Sequence, residues 1–171
     1  MITVIKQFTF DAAHRLPNHK GKCKQMHGHT YKLEIGVTGN IQPATGMVVD
    51  FGDLKKIIQK QVIDLLDHQL LNEVGEGGDC PTVLEKERLM DHQLLNEVWE
   101  GGDCPTVLEK ERLNNNPFPN YLPTAENMVE WIRYQLIAMI NTTDKQLTFI
   151  RLWETPTSYA EWRKDAWKRI M

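Results

Sequence analysis

The sequence contains no long apolar run, few cysteines and no large excess of charge of one sign. A membrane-spanning helix needs about 18 or more consecutive apolar residues, and none of the 171 residues belong to such a run. The first residues also lack the charged-then-apolar pattern of a secretory signal peptide. We therefore expect a cytoplasmic protein with no membrane partner.

The three cysteines and the net charge of −3 further limit the class of protein to which the chain can belong. The cysteines are too few, and odd in number, for a disulfide framework, so we expect reduced thiols. The charge provides no general attraction to nucleic acid. With 171 residues, 41% of them hydrophobic, the chain predicts a single globular domain over residues 1–171.

Alternating apolar residues predict two strands near the start of the chain. Residues 2–12 alternate, and His14 falls on the same face as their apolar members. A second alternation begins at His27 and ends at the turn Gly39-Asn40. The short apolar run 47–51 predicts either a third strand or the lead-in to a helix.

Two amphipathic helices and a hairpin complete the predicted order. Asp53 is the predicted N-cap of the first helix, which ends near Leu66. The second begins after Pro123-Thr124 and contributes one apolar side: Met128, Trp131, Ile132, Leu136, Met139 and Ile140. Residues 146–154 and 158–162 alternate around a turn. This order predicts an α+β fold with antiparallel strands and the helices on one face.

A near-identical repeat lies between the two predicted helices. Residues 67–89 and 91–113 align over 23 positions and differ at one, Gly75 against Trp99. Solenoid folds need three or more units, so this pair predicts no repeat architecture. It is either a recent tandem duplication or an artefact. Because the cost of loop closure grows slowly with length, we expect the extra residues to form a surface insertion.

The strongest indication of a functional site is the run Cys23-Lys24-Gln25-Met26-His27-Gly28-His29. Residues two apart on a strand share a face, so His27 and His29 would present two imidazoles to one point, as zinc ligands do. His14 is the natural third ligand. Three protein ligands leave a fourth position for water or substrate, as in catalytic zinc sites. The alternatives are ordinary hydrogen-bonded histidines, with Cys23 either a fourth ligand of a closed site or an inert thiol.

Five motifs occur in the order found in one enzyme family. They are Phe10-Asp11-Ala12-Ala13-His14-Arg15-Leu16, Cys23-x3-His27-Gly28-His29, Leu66-Asp67-His68, Pro123-Thr124-Ala125-Glu126-Asn127 and Glu154-Thr155-Pro156-Thr157. Together they resemble the 6-pyruvoyl-tetrahydropterin synthase and 6-carboxytetrahydropterin synthase family over nearly the whole chain. The resemblance implies the tunnelling fold, a four-stranded antiparallel sheet with two helices on one face. It also implies homo-oligomers, trimers or hexamers, whose joined sheets form a barrel with active sites between subunits.

The resemblance assigns roles at the metal motif. It implies that His14, His27 and His29 bind zinc and that Cys23 is the general base. Zinc would hold and acidify the hydroxyls of the substrate side chain. Cys23 would act as a thiolate, which nearby positive charge favours.

The resemblance further implies one Asp-His pair that completes a proton relay, and the repeat offers two. Asp67 and His68 directly follow the first predicted helix, as in the family. Asp91 and His92 follow a charged stretch of the repeat. We therefore predict that Asp67 and His68 are the working pair, with Asp91 and His92 as the alternative.

Two more residues would contact the pterin. Glu154 would bind the ring through a charge-assisted bidentate pair, and its alternative is an exposed carboxylate at a strand end. Thr124 would contact the pterin, cap the second helix, or do both.

The details of the motifs favour one branch of the family. Three residues separate Cys23 from His-Gly-His, and the closing motif reads Glu-Thr-Pro-Thr-Ser, which is similar to the bacterial 6-carboxytetrahydropterin synthases of queuosine-type deazapurine synthesis. That branch implies a zinc-dependent lyase that cleaves 7,8-dihydroneopterin triphosphate and releases acetaldehyde and triphosphate. One alternative is a 6-pyruvoyl-tetrahydropterin synthase, which eliminates only triphosphate. The other is a zinc- and pterin-binding protein without catalysis.

Overall fold

The computed structural model describes residues 1–74 and 122–164, which form one four-stranded antiparallel sheet with helices packed on it. The strands are β1 (Ile2–His14), β2 (His27–Gly39), β3 (Lys145–Thr155) and β4 (Ser158–Arg163), in that order across the sheet. The helices are α1 (Phe51–Ile58), a π-helical continuation (Gln59–Ile63), α2 (Asp64–Leu66) and α3 (Ala125–Ile140). The predicted α+β arrangement is confirmed. No helix in these two ranges is long and apolar enough to cross a membrane.

One face of the sheet forms the core with the helices. Phe10 and Ala12 of β1 are buried, and their ladder partners on β2 are Tyr31 and His29. His14, at the end of the same row of β1 side chains, is fully buried. The predicted alternation of β1 is therefore confirmed, and it carries a histidine to the end of the hydrophobic core.

The start of the first helix differs from the prediction. Asp50, not Asp53, is the N-cap, and its carboxylate accepts hydrogen bonds from the backbone N–H groups of Gly52 (2.7 Å) and Asp53 (3.1 Å). The reason is conformational, because Asp50 has the extended backbone of a cap whereas Asp53 lies within the first turn. Residues 47–50 thus lead into the helix and form no strand. The apolar side of α3 is as predicted except for Met139, which is exposed.

The first eight residues of the repeat pack against the outer edge of β1. The N–H of His68 donates to the carbonyl of Asp11 (2.6 Å), and the carbonyl of Ala13 accepts from the N–H of Leu71 (2.9 Å). The Leu71 side chain is fully buried, and the Asn72 amide pairs with the backbone of Arg15. Residues 67–74 therefore belong to the core structure. Residues 75–113, which include most of the predicted insertion, lie outside the described ranges.

The opposite face of the sheet carries a charged network centred on Glu34. Its carboxylate lies 3.0 Å from the amine of Lys32 and 3.0 Å from the guanidinium of Arg151, and it also accepts from the amide of Gln7 (2.9 Å). Burial by itself would raise the pKa of Glu34, but the hydrogen bonds and charges of Lys32 and Arg151 lower it below the usual range. The network links β1, β2 and β3 on the face without helices.

Replacing this carboxylate is expected to cost stability. Glu34→Gln should lower the free energy of unfolding at pH 7 by about 2 kcal/mol, the scale of hydrogen bonds to charged groups. Because the folded pKa is depressed, this contribution is complete above the unfolded value of about 4.3 and is lost as the pH falls toward the folded value. In urea unfolding experiments, the difference in the free energy of unfolding between wild type and variant should therefore become smaller at acid pH. Glu130→Gln breaks an exposed pair with Arg133 and should cost no more than about 0.5 kcal/mol; equal losses in the two variants would contradict the prediction.

Candidate active site

The register of β1 and β2 brings three predicted metal ligands together. His14 lies opposite His27 in the ladder, and Ala12 lies opposite His29. The Nε2 atoms of His14 and His27 are 3.1 Å apart, and one ring nitrogen from each of the three histidines lies within 4.8 Å of the others. Nitrogen ligands 2.0–2.1 Å from a tetrahedral zinc ion stand about 3.3 Å apart. The cluster therefore has the spacing of a metal site.

Backbone carbonyls orient two of these rings. The Nδ1 of His14 donates to the carbonyl of Pro123 (2.8 Å), and the Nδ1 of His27 donates to the carbonyl of Gln25 (2.8 Å). A carbonyl only accepts, so each neutral ring carries its proton on Nδ1 and a lone pair on Nε2. The two Nε2 lone pairs then face each other at 3.1 Å, an arrangement that a shared cation stabilises. The residues present thus fit a zinc ion.

Burial keeps two of the three histidines in their metal-binding protonation state. It lowers the pKa of His14, where it exceeds the opposing effects of the Pro123 hydrogen bond and the charge of Glu154, and it lowers the pKa of His29, where it exceeds the attraction of Glu154. Neutral imidazole is the form that binds metal. His14 and His29 therefore present unprotonated ring nitrogens at neutral pH.

Glu154 lies beside the histidine cluster at the end of β3. Its Oε1 is 3.5 Å from the Nε2 of His14 and 3.9 Å from the Nε2 of His29, and its side chain is 28% exposed. The alternative of a free strand-end carboxylate does not describe this position. A ligand held at the cluster would meet the carboxylate.

Cys23 lies in the short 3-10 turn Lys22–Lys24 between β1 and β2. Its carbonyl accepts from the N–H of Leu16 (2.8 Å), which fixes this turn near the end of β1. The cysteine is half-buried and is absent from the cluster of ligand atoms found among the described residues. This position is that of neither a fourth ligand nor a fully buried thiol.

Asp67 and His68 contact each other at the outer edge of β1. The Oδ1 of Asp67 lies 2.9 Å from the Nδ1 of His68 and accepts from the N–H of Asp11 (3.0 Å). This backbone hydrogen bond, followed by the pairing with His68, lowers the pKa of Asp67. The His68 side chain is 77% exposed, and within residues 1–74 and 122–164 no hydrogen bond or ion pair connects it to the histidine cluster. The alternative pair, Asp91 and His92, lies outside the described ranges.

Thr124 is the N-cap of α3. Its hydroxyl accepts from the N–H of Asn127 (3.3 Å), so the predicted capping role is confirmed. The amide of Asn127 donates to the carbonyl of Leu122 (2.8 Å), which holds the segment whose Pro123 carbonyl orients His14. The motif Pro-Thr-Ala-Glu-Asn therefore supports the histidine cluster, through a carbonyl 109 residues from His14 in sequence.

Sequence reasoning missed one residue of the site, Tyr31. It is fully buried, and its ring lies 5.6 Å from the ring of His29 and 6.3 Å from that of His14. Burial and, second, the charge of Glu154 raise the pKa of its phenol, so the hydroxyl keeps its proton. The sequence does contain a signal for this residue: Tyr31 is an even number of positions from His27 and His29, so it shares their face of the strand.

Comparison with known proteins identifies the family. A family model described as 6-pyruvoyl tetrahydropterin synthase matches residues 3–165. The chain belongs to this family. A 6-carboxy-5,6,7,8-tetrahydropterin synthase from Haemophilus influenzae is 34% identical to this chain over 172 residues, covering 96% of this chain and 100% of the relative. Another from Rickettsia bellii is 30% identical over 167 residues, covering 94% and 99%.

Solved structures show the same fold. The 6-pyruvoyl tetrahydropterin synthase of Caenorhabditis elegans superimposes with a TM-score of 0.60 at 22% identity, covering 95% of this chain and 94% of that one. The Plasmodium falciparum 6-pyruvoyl tetrahydropterin synthase gives 0.58 at 20% identity, covering 95% and 97%. The predicted tunnelling fold, with its four-stranded antiparallel sheet and helices on one face, is confirmed for this chain.

Proposed function

We propose that this protein is a zinc-dependent carbon-carbon lyase that converts 7,8-dihydroneopterin triphosphate and one water molecule into 6-carboxy-5,6,7,8-tetrahydropterin. The reaction releases acetaldehyde and triphosphate and takes place in the cytoplasm, as a step of queuosine-type deazapurine synthesis. One observation supports the metal requirement. The imidazoles of His14 and His27 are each held by a backbone carbonyl, and their Nε2 lone pairs face each other at 3.1 Å. The relatives that match over nearly their full length are named for the 6-carboxy product.

Three histidines would hold the metal and leave room for substrate. His14, His27 and His29 supply three nitrogens, and zinc accepts a fourth ligand in catalytic sites. When bound, zinc would hold and acidify the side-chain hydroxyls of the substrate. Glu154, beside the cluster, would accept two parallel N–H bonds from the pterin ring and so fix where the side chain meets the metal site. Thr124 would add a contact to the ring from the start of α3.

Cys23 would act as the general base. Its half-buried position, on a turn fixed to the end of β1, keeps the thiol available without making it a ligand. Lys22 and Lys24 lie next to it in the same turn and would place positive charge near the substrate. A thiolate that removes a proton from a side-chain hydroxyl starts the retro-aldol cleavage that separates the two-carbon fragment.

Asp67 and His68 would serve the active site of a neighbouring subunit. The pair is exposed at an edge strand and has no contact with the histidine cluster of its own chain in the described ranges. Beyond Asp11 and Ala13, no backbone hydrogen bond from those ranges covers the outer edge of β1. An uncovered edge pairs readily with another strand. This supports a homo-oligomeric barrel, trimer or hexamer, in which sheets join edge to edge and sites form between subunits.

Product analysis tests the proposal. Zinc-loaded protein is incubated with 7,8-dihydroneopterin triphosphate, and the products are identified by mass spectrometry. Acetaldehyde together with a 6-carboxy pterin is the expected result, and Cys23→Ala should retain zinc but lose turnover. A 6-pyruvoyl product would reassign the enzyme to the branch that eliminates triphosphate alone. Bound zinc and pterin without turnover would leave a binding protein in place of a lyase.

A further inference from the structure

The hydroxyl of Tyr31 is buried and has no hydrogen-bond partner within residues 1–74 and 122–164. Among the described residues only two buried side-chain polar atoms lack a partner, and Tyr31 Oη is one of them. Buried tyrosine hydroxyls are normally paired, because an unpaired one has lost its water and gained nothing. This unpaired hydroxyl lies at the candidate active site.

Packing fixes the direction of the Tyr31 ring. Its ladder partner on β1 is Phe10, and the two rings stack with centroids 5.0 Å apart and an interplanar angle of 13°. The rings of His29 and His14 lie edge-on to it at 5.6 and 6.3 Å. The aromatic ring therefore has contacts on several sides, and only its hydroxyl lacks one.

Tyr31 lies on β2, and Glu154 lies on β3, the strand that follows β2 on the side away from β1. The ladder between β2 and β3 ends at the pair Lys32–Trp153, and Tyr31 and Glu154 are the next residues on the two strands. Glu154 Oε1 lies 3.5 Å and 3.9 Å from the Nε2 atoms of His14 and His29, whose rings lie edge-on to that of Tyr31. The phenol and the carboxylate therefore adjoin the same two histidines.

We propose that Tyr31 is a positioning residue that holds the Glu154 carboxylate for pterin binding. Glu154 Oε1 lies beside the Nε2 atoms of His14 and His29, which are the atoms expected to hold zinc. Nε2 of neutral His14 carries a lone pair and donates nothing to the carboxylate, so the carboxylate needs another donor. Among the described residues, the Tyr31 hydroxyl is a buried donor without a partner on the adjacent strand. A carboxylate has enough lone pairs to accept from the phenol and still accept two N–H bonds from a pterin. The inference rests on the proposed function of Glu154.

Tyr31→Phe tests this inference, because it removes the hydroxyl and keeps the packed ring. In zinc-loaded protein, the dissociation constant for 7,8-dihydroneopterin, followed by its fluorescence, should rise about tenfold, as expected for loss of a hydrogen bond to a charged group. Zinc content and the melting temperature should not change. Tyr159→Phe, an exposed position on β4, is the matched control and should leave the dissociation constant within about twofold.

A double-mutant cycle separates positioning from a general effect on the site. With Glu154→Ala already in place, adding Tyr31→Phe should change the dissociation constant by less than about twofold. Unchanged binding in the single variant, a tenfold effect that persists without Glu154, or loss of zinc in Tyr31→Phe would each overturn the inference. The readout is pterin binding, so the cycle gives an answer even if the protein fails to turn over substrate.

Discussion

Replacing His27 with alanine is expected to empty the metal site and abolish turnover. The variant retains two imidazoles, whereas zinc sites in enzymes use three protein ligands. Loss of outer-shell partners alone costs 10- to 100-fold in metal affinity or activity, so loss of a direct ligand should cost about a thousandfold or more. Metal analysis after dialysis should give about one zinc per wild-type chain and little in the variant.

A second histidine provides the control for that experiment. His19 is exposed, and its Nδ1 accepts from the N–H of Gly21 within the loop that follows β1. His19→Ala should retain full zinc and activity. A His27→Ala protein that keeps stoichiometric zinc would show that the three-histidine cluster is not the metal site.

The second large effect is expected at the Asp-His pair, where the repeat supplies two candidates. His68→Asn should lower kcat by about 10²- to 10⁴-fold, the range for loss of a general acid or base, while zinc content stays unchanged. Asparagine is preferred to alanine because His68 has φ +58°, a left-handed conformation that asparagine tolerates. The measurement is steady-state turnover of 7,8-dihydroneopterin triphosphate.

The matched variant is His92→Asn, which changes the same residue in the second copy. It should have wild-type kcat, because residues 67–74 pack on β1 and hold the first Asp-His pair at its edge. Loss of activity in His92→Asn with normal activity in His68→Asn would assign the relay to the second copy instead.

Strand periodicity predicted much of this fold because one face of the sheet is buried. The alternation of residues 2–12 and the His-x-His spacing placed three histidines on the same face, and the structure confirms that arrangement. The alternation does not specify the register, which decides the residues of the two strands that lie opposite each other. The pairing of His14 with His27 depends on how two strands align, and a one-residue shift would have moved one histidine to the other face.

Contacts distant in sequence were the main part of the site that the pattern could not predict. The Pro123 carbonyl that orients His14 comes from the start of a helix beyond the repeat, and no local signal connects the two. Tyr31 was visible as an apolar strand residue, but its missing hydrogen-bond partner is a property of the packed core. The N-cap was wrong by three positions because two aspartates at this helix start, Asp50 and Asp53, carry the same propensity and only backbone conformation separates them.

The segment that docks on β1 also bears on how this chain acquired its length. Residues 91–98 repeat residues 67–74 letter for letter, so excising residues 67–90 would join Leu66 to an identical DHQLLNEV. Every side chain that contacts β1, including the buried Leu71 and the Asn72 amide, would then have its counterpart at the same distance from α2. Gain or loss of one unit therefore leaves the sequence that docks on β1 unchanged.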